Sequence, residues 1–101
     1  MNIIPIPKQF HIFGELHKVK QLKIVKDGEE FVLGLYNPDT NIIKIQKASE
    51  TRNQDQVEQT FFHELVHASL GHLSYDKLYE DEVFVDNMAK ALHQAFKTAK
   101  Y

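Results

Sequence analysis

The sequence predicts an α+β domain: a small antiparallel sheet of three to four strands, then a long helix, then a second one. Three observations carry this reading. Up to residue 46, β-forming runs are separated by turn-forming residues. From Asp55 onward, apolar residues recur at helical spacing. A chain of 101 residues, 43% apolar with seven phenylalanines and four tyrosines, holds one modest core and therefore one domain, 1–101.

Residues 1–9, with Pro5 and Pro7, cannot join a central strand and are expected as an extended arm. The sheet is expected over 10–46. Phe10 to Phe13 and Leu16 to Val25 read as a hairpin whose two-residue turn, Gly14-Glu15, has glycine first. Lys18, Lys20 and Lys23 form a basic stripe, read as a solvated strand face in preference to a phosphate site. Asp27-Gly28 marks a second turn and Phe31 to Tyr36 a third strand. Asn37-Pro38-Asp39-Thr40-Asn41 is dense in turn formers, and Ile42 to Gln46 is a short fourth strand. Residues 47–54 are a polar link.

The first helix is expected over 55–70. Asp55 with Glu58 three residues on reads as a capping box. Val57, Phe61, Phe62, Leu65, Val66 and Leu70 give its apolar face, and Gly71 is a natural stop. After a short connection, a second helix is expected over 78–98, with Val85, Met88, Ala89, Leu92 and Phe96 toward the core. His93 reads as a partly buried helix histidine with a structural hydrogen bond.

Inside the first helix lies His63-Glu64-Leu65-Val66-His67. Residues four apart on a helix share a face, so both imidazoles can aim at one point. Glu64 stands beside that point. Two neutral imidazoles at one ion with an adjacent carboxylate are the parts of a zinc hydrolase site, the H-E-x-x-H pattern. A third ligand is needed. Leu70 and Leu73 exclude the arrangement that would put glycine and histidine there. His72 falls five residues after His67 and points off the shared face. Glu82 and Asp86, four apart on the second helix, fit better: Glu82 as the ligand, Asp86 as acceptor for a ligand histidine's second N–H. Glu80 competes, although it lies about 200° round a helix from Glu82.

HELVH followed by E-x-x-x-D resembles the gluzincin-type zinc metallopeptidases, and the size is similar to the minigluzincins and to small phage-encoded or SprT-like peptidases. The resemblance covers residues 31–96 and implies a minimal zincin-like fold. It implies His63, His67 and Glu82 as ligands of one Zn2+, Glu64 as the general base and Asp86 as support to a ligand. It further implies a strand along the cleft that pairs with the substrate backbone, with Ile42 to Gln46 the expected one. The expected activity is zinc-dependent endopeptidase action on peptide or protein substrates, with metal-activated water and Glu64 moving the proton. An oxyanion donor is also needed, and Tyr75, Tyr79 and His72 are the candidates, with His11 an outsider. The alternative is a zinc-stabilised interaction module with little or no turnover, its metal holding the two helices together.

A net charge of −2 speaks against nucleic acid as a partner. The absence of cysteine removes disulfides and thiolate ligands and fits a reducing compartment. With no apolar run of membrane-spanning length and no signal-peptide pattern, the expectation is a cytoplasmic monomer, in the host cytoplasm if phage-encoded.

Overall fold

The computed structural model describes residues 3–101, so Met1 and Asn2 of the expected arm lie outside it. The arm runs without regular structure into β1 (Gln9–Ile12). There follow β2 (Glu15–Leu22), β3 (Val25–Asp27), β4 (Glu30–Val32), β5 (Gly34–Asn37) and β6 (Ile42–Gln46). Three helices complete the chain: α1 (Gln54–His72), the short α2 (Asp76–Tyr79) and α3 (Glu82–Thr98). The α+β class is as expected. None of these helices is long and apolar enough to cross a membrane.

The sheet departs from the expected antiparallel one. Its order is β1-β2-β6-β5, with β3 and β4 forming a separate two-stranded ribbon. β1 and β2 are antiparallel, as are β5 and β6, but β2 and β6 run parallel with Lys18 opposite Ile42 and Leu22 opposite Gln46. Burial explains the insertion. Ile43 and Ile45 are wholly buried, so β6 gains most from the middle of the sheet. The excursion through β3, β4 and β5 is long enough to bring the chain back in the parallel sense.

Local differences also have causes. The first hairpin turns at Phe13-Gly14, one residue earlier than expected, and both residues are left-handed (φ 50° and 80°), as a tight two-residue hairpin requires. Gly28, with φ 63°, does lead the β3–β4 turn. The run Phe31 to Tyr36 is not one strand, because it breaks between β4 and β5 where the chain changes sheets. Lys18, Lys20 and Lys23 are exposed, as a solvated stripe should be.

α1 begins earlier than expected because Asn53, not Asp55, is its cap. Asn53 Oδ1 accepts from Gln56 N–H, and the Gln56 side chain returns the bond to the Asn53 N–H. It also runs past Gly71, and Ser74 (φ 60°) supplies the left-handed residue after the end. The second expected helix is split, with Asp81 capping α3 through a bond from Phe84 N–H.

α1 is the central element. It packs against β5 and β6 on one side and α3 on the other, which is why it buries Val57, Phe61, Phe62, Val66, Ala68 and Leu70 around much of its girth. α3 buries only a stripe, Val85, Ala89 and His93, with Leu92 packed beside it. Met88 and Phe96 correct the core expectation: they are 40% and 53% exposed. Phe96 still stacks on Phe62, with centroids 5.7 Å apart.

Glu58 ties these layers together. This fully buried carboxylate accepts from His93 Nε2 at 2.9 Å, Lys97 Nζ at 2.8 Å and the Ile4 N–H of the arm at 3.1 Å. His93 thus has the structural hydrogen bond its sequence position suggested.

Candidate metal centre and cleft

The helical register of α1 sets His63 and His67 on one face, ring centroids 5.0 Å apart. α3 crosses α1 with its first turn over that face and delivers Glu82. One Glu82 oxygen lies 3.1 Å from His63 Nε2, and the other lies 3.1 Å from His67 Nε2. Ligand atoms from these three residues all fall within 4.8 Å of one another, a grouping able to hold a metal ion. Asp86, one turn further along α3, stands 3.8 Å from His63 Nδ1 and is held by Lys90 at 2.8 Å. That hydrogen bond from Lys90 is the main cause lowering the Asp86 pKa.

The donor set suits zinc: two imidazole nitrogens and one carboxylate, drawn from two helices, with a side left open. His67 Nδ1 has no hydrogen-bond partner despite its burial. The nearby Tyr79 backbone acts on the ring, but outside hydrogen-bonding geometry. Burial lowers the His67 pKa, keeping the ring in the neutral form a metal takes, while Glu82 pulls the other way.

Glu64 sits next to this cluster and is 7% exposed. Burial, helped by the charge of Glu82, pushes its carboxyl up to about 8, while the Tyr36 backbone opposes the rise. The crowding has a visible source in Gly34. A Cβ there would stand 2.6 Å from Thr60 Cγ2 and 3.0 Å from Glu64 Oε2. Only glycine lets β5 pass this close to α1.

The cluster opens into a cleft of about 430 Å³ lined by Gly34, Tyr36, Glu64, Tyr79 and Glu82, among others. A second hollow of about 540 Å³ shares Gly34, His63 and Glu64 and extends toward Phe31, Leu33 and Arg52. β5 forms the wall between sheet and cleft. This corrects the expectation for Ile42 to Gln46, which is an inner strand with no free edge. At the two ends of β5 the carbonyls of Leu33, just before it, and of Asn37 accept from Gln46 N–H and Asn41 N–H on the inner side. Alternation then turns the main-chain groups of Gly34 and Tyr36 toward the cleft.

The remaining candidates separate. Tyr79 lines the cleft and sets its ring edge-on to His67 at 5.0 Å. Gly71 gives that ring room, since a Cβ there would meet it at 3.4 Å. Burial raises the Tyr79 pKa, with Glu64 and Glu82 adding to the rise, so its hydroxyl stays a donor. Tyr75 is 55% exposed and does not line the cleft. His72 faces elsewhere: its Nε2 is 3.0 Å from His17 Nε2, and its Nδ1 is 3.5 Å from Glu15. His11 is exposed on β1, at the opposite edge of the sheet from β5. Glu80 lines the cleft but is absent from the His63–His67 grouping.

Gly34, Tyr36, Arg52 and the buried His17 were missed by sequence reasoning. Gly34 had a signal, because an isolated glycine in a strand pattern marks a close backbone approach. Tyr36 and His17 carried none beyond strand alternation. No protein-family model, curated protein or solved structure matches the chain.

Proposed function

We propose that the chain is a zinc-dependent endopeptidase with a minimal zincin-like fold. The single observation that carries this is the convergence of His63, His67 and Glu82 on one point, with the buried Glu64 carboxyl beside it in an open cleft. His63, His67 and Glu82 would hold the ion, and Asp86 would orient His63. When bound, zinc supplies a Lewis acid that makes water nucleophilic near neutral pH and draws Glu64 toward its carboxylate form.

The chain's own residues supply the rest. Glu64 accepts the proton of the attacking water and delivers it to the leaving nitrogen. Tyr79 donates a hydrogen bond to the oxyanion that forms at the attacked carbonyl. Gly34 and Tyr36 on the free edge of β5 bind the peptide main chain, which favours extended, unfolded substrates.

The interaction-module reading has less support. Glu58, His93, Lys97 and the apolar contacts already join α1 to α3 through direct side-chain contacts, and a metal staple has no use for a carboxyl buried in a cleft.

Zinc content and hydrolysis of a denatured protein test the reading, with Glu64→Gln beside wild type. One zinc per chain in both, with hydrolysis reduced about 10²–10⁴-fold in the variant, is the expected result for loss of a general base. Zinc-loaded wild type that cuts nothing, or a variant that cuts equally well, overturns it.

A further inference from the structure

Arg52 is the chain's one arginine, and it immediately precedes the cap of α1. It is only 6% exposed. Buried cations ordinarily sit against a carboxylate. Arg52 has none among the described residues: burial alone acts on its pKa, lowering it, and no anion opposes that effect. Its place at the positive end of α1 adds to the unfavourable charge.

Two of its nitrogens are fixed. Nε donates to the Gln46 carbonyl at 2.8 Å, and Nη2 donates to Thr60 Oγ1 at 2.7 Å. Nη1 meets no acceptor among the described residues. It is not sealed away either, because His67 Nδ1 is the one partnerless buried side-chain nitrogen or oxygen among them. Arg52 lines the hollow that continues into the metal cluster, together with Gln56, Gln59 and Thr60. Asp86 and Glu64 are the acidic groups on that wall, and both lie at the histidine end. The hollow therefore presents an unneutralised guanidinium, held by two bonds and with Nη1 left open, a charged donor suited to a carboxylate oxygen.

We propose that Arg52 is the specificity residue of this cleft, receiving a carboxylate of the bound peptide two residues from the bond that is cut. The carboxylate is that of an Asp or Glu side chain, or of the peptide's C-terminus. The inference rests on the peptidase reading above. Its distance follows from the helix: Thr60, which anchors Arg52, lies four residues from Glu64, about 6 Å along the axis at 1.5 Å per residue. An extended peptide advances about 3.3 Å per residue, so two residues span the gap, and side chains two apart share a face.

The test uses zinc-loaded wild type and matched peptides carrying Glu or Gln two residues to either side of the cleaved bond, each with a free or an amidated C-terminus. A charge-assisted hydrogen bond makes kcat/KM at least about tenfold higher for one acidic member. A preference for the free over the amidated terminus, with Glu and Gln members equal, assigns the carboxylate to the chain end. Arg52→Gln should bring the ratio to about one and Arg52→Lys should keep part of it, which a merely structural arginine would not do. If Arg52→Gln fails to fold, the wild-type ratio still decides. Equal kcat/KM for acidic and amide members overturns the proposal. If no peptide is cut, the peptidase reading has failed separately, and fluorescence anisotropy of the same peptides, labelled, on wild type decides for Arg52. Acidic members bound about tenfold more tightly support it, and equal binding sinks it.

Discussion

Gly34 lies so close to Glu64 that a Cβ on the glycine would stand 3.0 Å from one carboxylate oxygen and 3.1 Å from Cγ. The strand that walls the cleft thereby fixes the side chain assigned the proton transfer. Gly34→Ala should lower hydrolysis by about a hundredfold, the cost of misplacing a reacting group by about 1 Å. Overpacking should also cost about 1–3 kcal/mol of stability. Zinc content should not change, because neither histidine touches Gly34 in this contact. Rates equal to wild type would mean that Glu64 is not held by β5.

The third ligand is decided by metal analysis of two variants. Glu82 reaches both histidines at 3.1 Å, whereas Glu80 follows α2 and has no such contact. Glu82→Ala should lose the zinc, and Glu80→Ala should keep one per chain. Retention in Glu82→Ala would remove Glu82 from the ligand set.

What could be read from the sequence is what one helix or one spacing encodes. His63, Glu64 and His67 are related by the turn of a single helix, and Glu82 with Asp86 repeats that relation on another. The placement of β6 was not legible in this way. Ile42-Ile43-Lys44-Ile45-Gln46 reads as a strand anywhere in a sheet, and only the burial of Ile43 and Ile45 by α1 makes it an inner one, parallel to β2. The cleft strand was misassigned for the same reason, since an edge is a property of tertiary neighbours. Arg52 was hidden in the polar link 47–54, where nothing local indicates burial. Asn53 and Asp55 are both good caps by residue type, and Gln56 settles the choice through its reciprocal bond.

Tyr79 and Tyr75 make a controlled pair for the oxyanion donor. The Tyr79 ring packs against His67, while Tyr75 faces solvent. Tyr79→Phe should keep its zinc and its fold yet lower kcat by about 10²-fold, with Tyr75→Phe near wild type. Losing one transition-state donor affects kcat more than KM, so a pure KM effect in Tyr79→Phe would refute the assignment.

The Glu58 network makes stability depend on pH in a way that needs no metal. Burial would raise the Glu58 pKa, but hydrogen bonds from Lys97, His93 and the Ile4 N–H outweigh it and hold the carboxyl below its ordinary 4.5. A carboxyl depressed in the folded state adds stability that is present above its unfolded value and lost as pH falls through its folded value. Lys97 is raised above its ordinary 10.5, chiefly by its hydrogen bond to Glu58, so its share is present below that value and lost in strong alkali. The metal-free protein should therefore lose stability on acidification below about pH 4.5. Glu58→Gln keeps the shape but leaves His93 and Lys97 only the more distant Asp55 carboxylate, 3.6 Å from each, and should lower stability at pH 7. Its stability should also fall less steeply in acid than that of wild type. Denaturant unfolding at pH 7 and pH 3.5 measures both effects, and a Glu58→Gln curve parallel to wild type across that range would show that the acid sensitivity originates elsewhere.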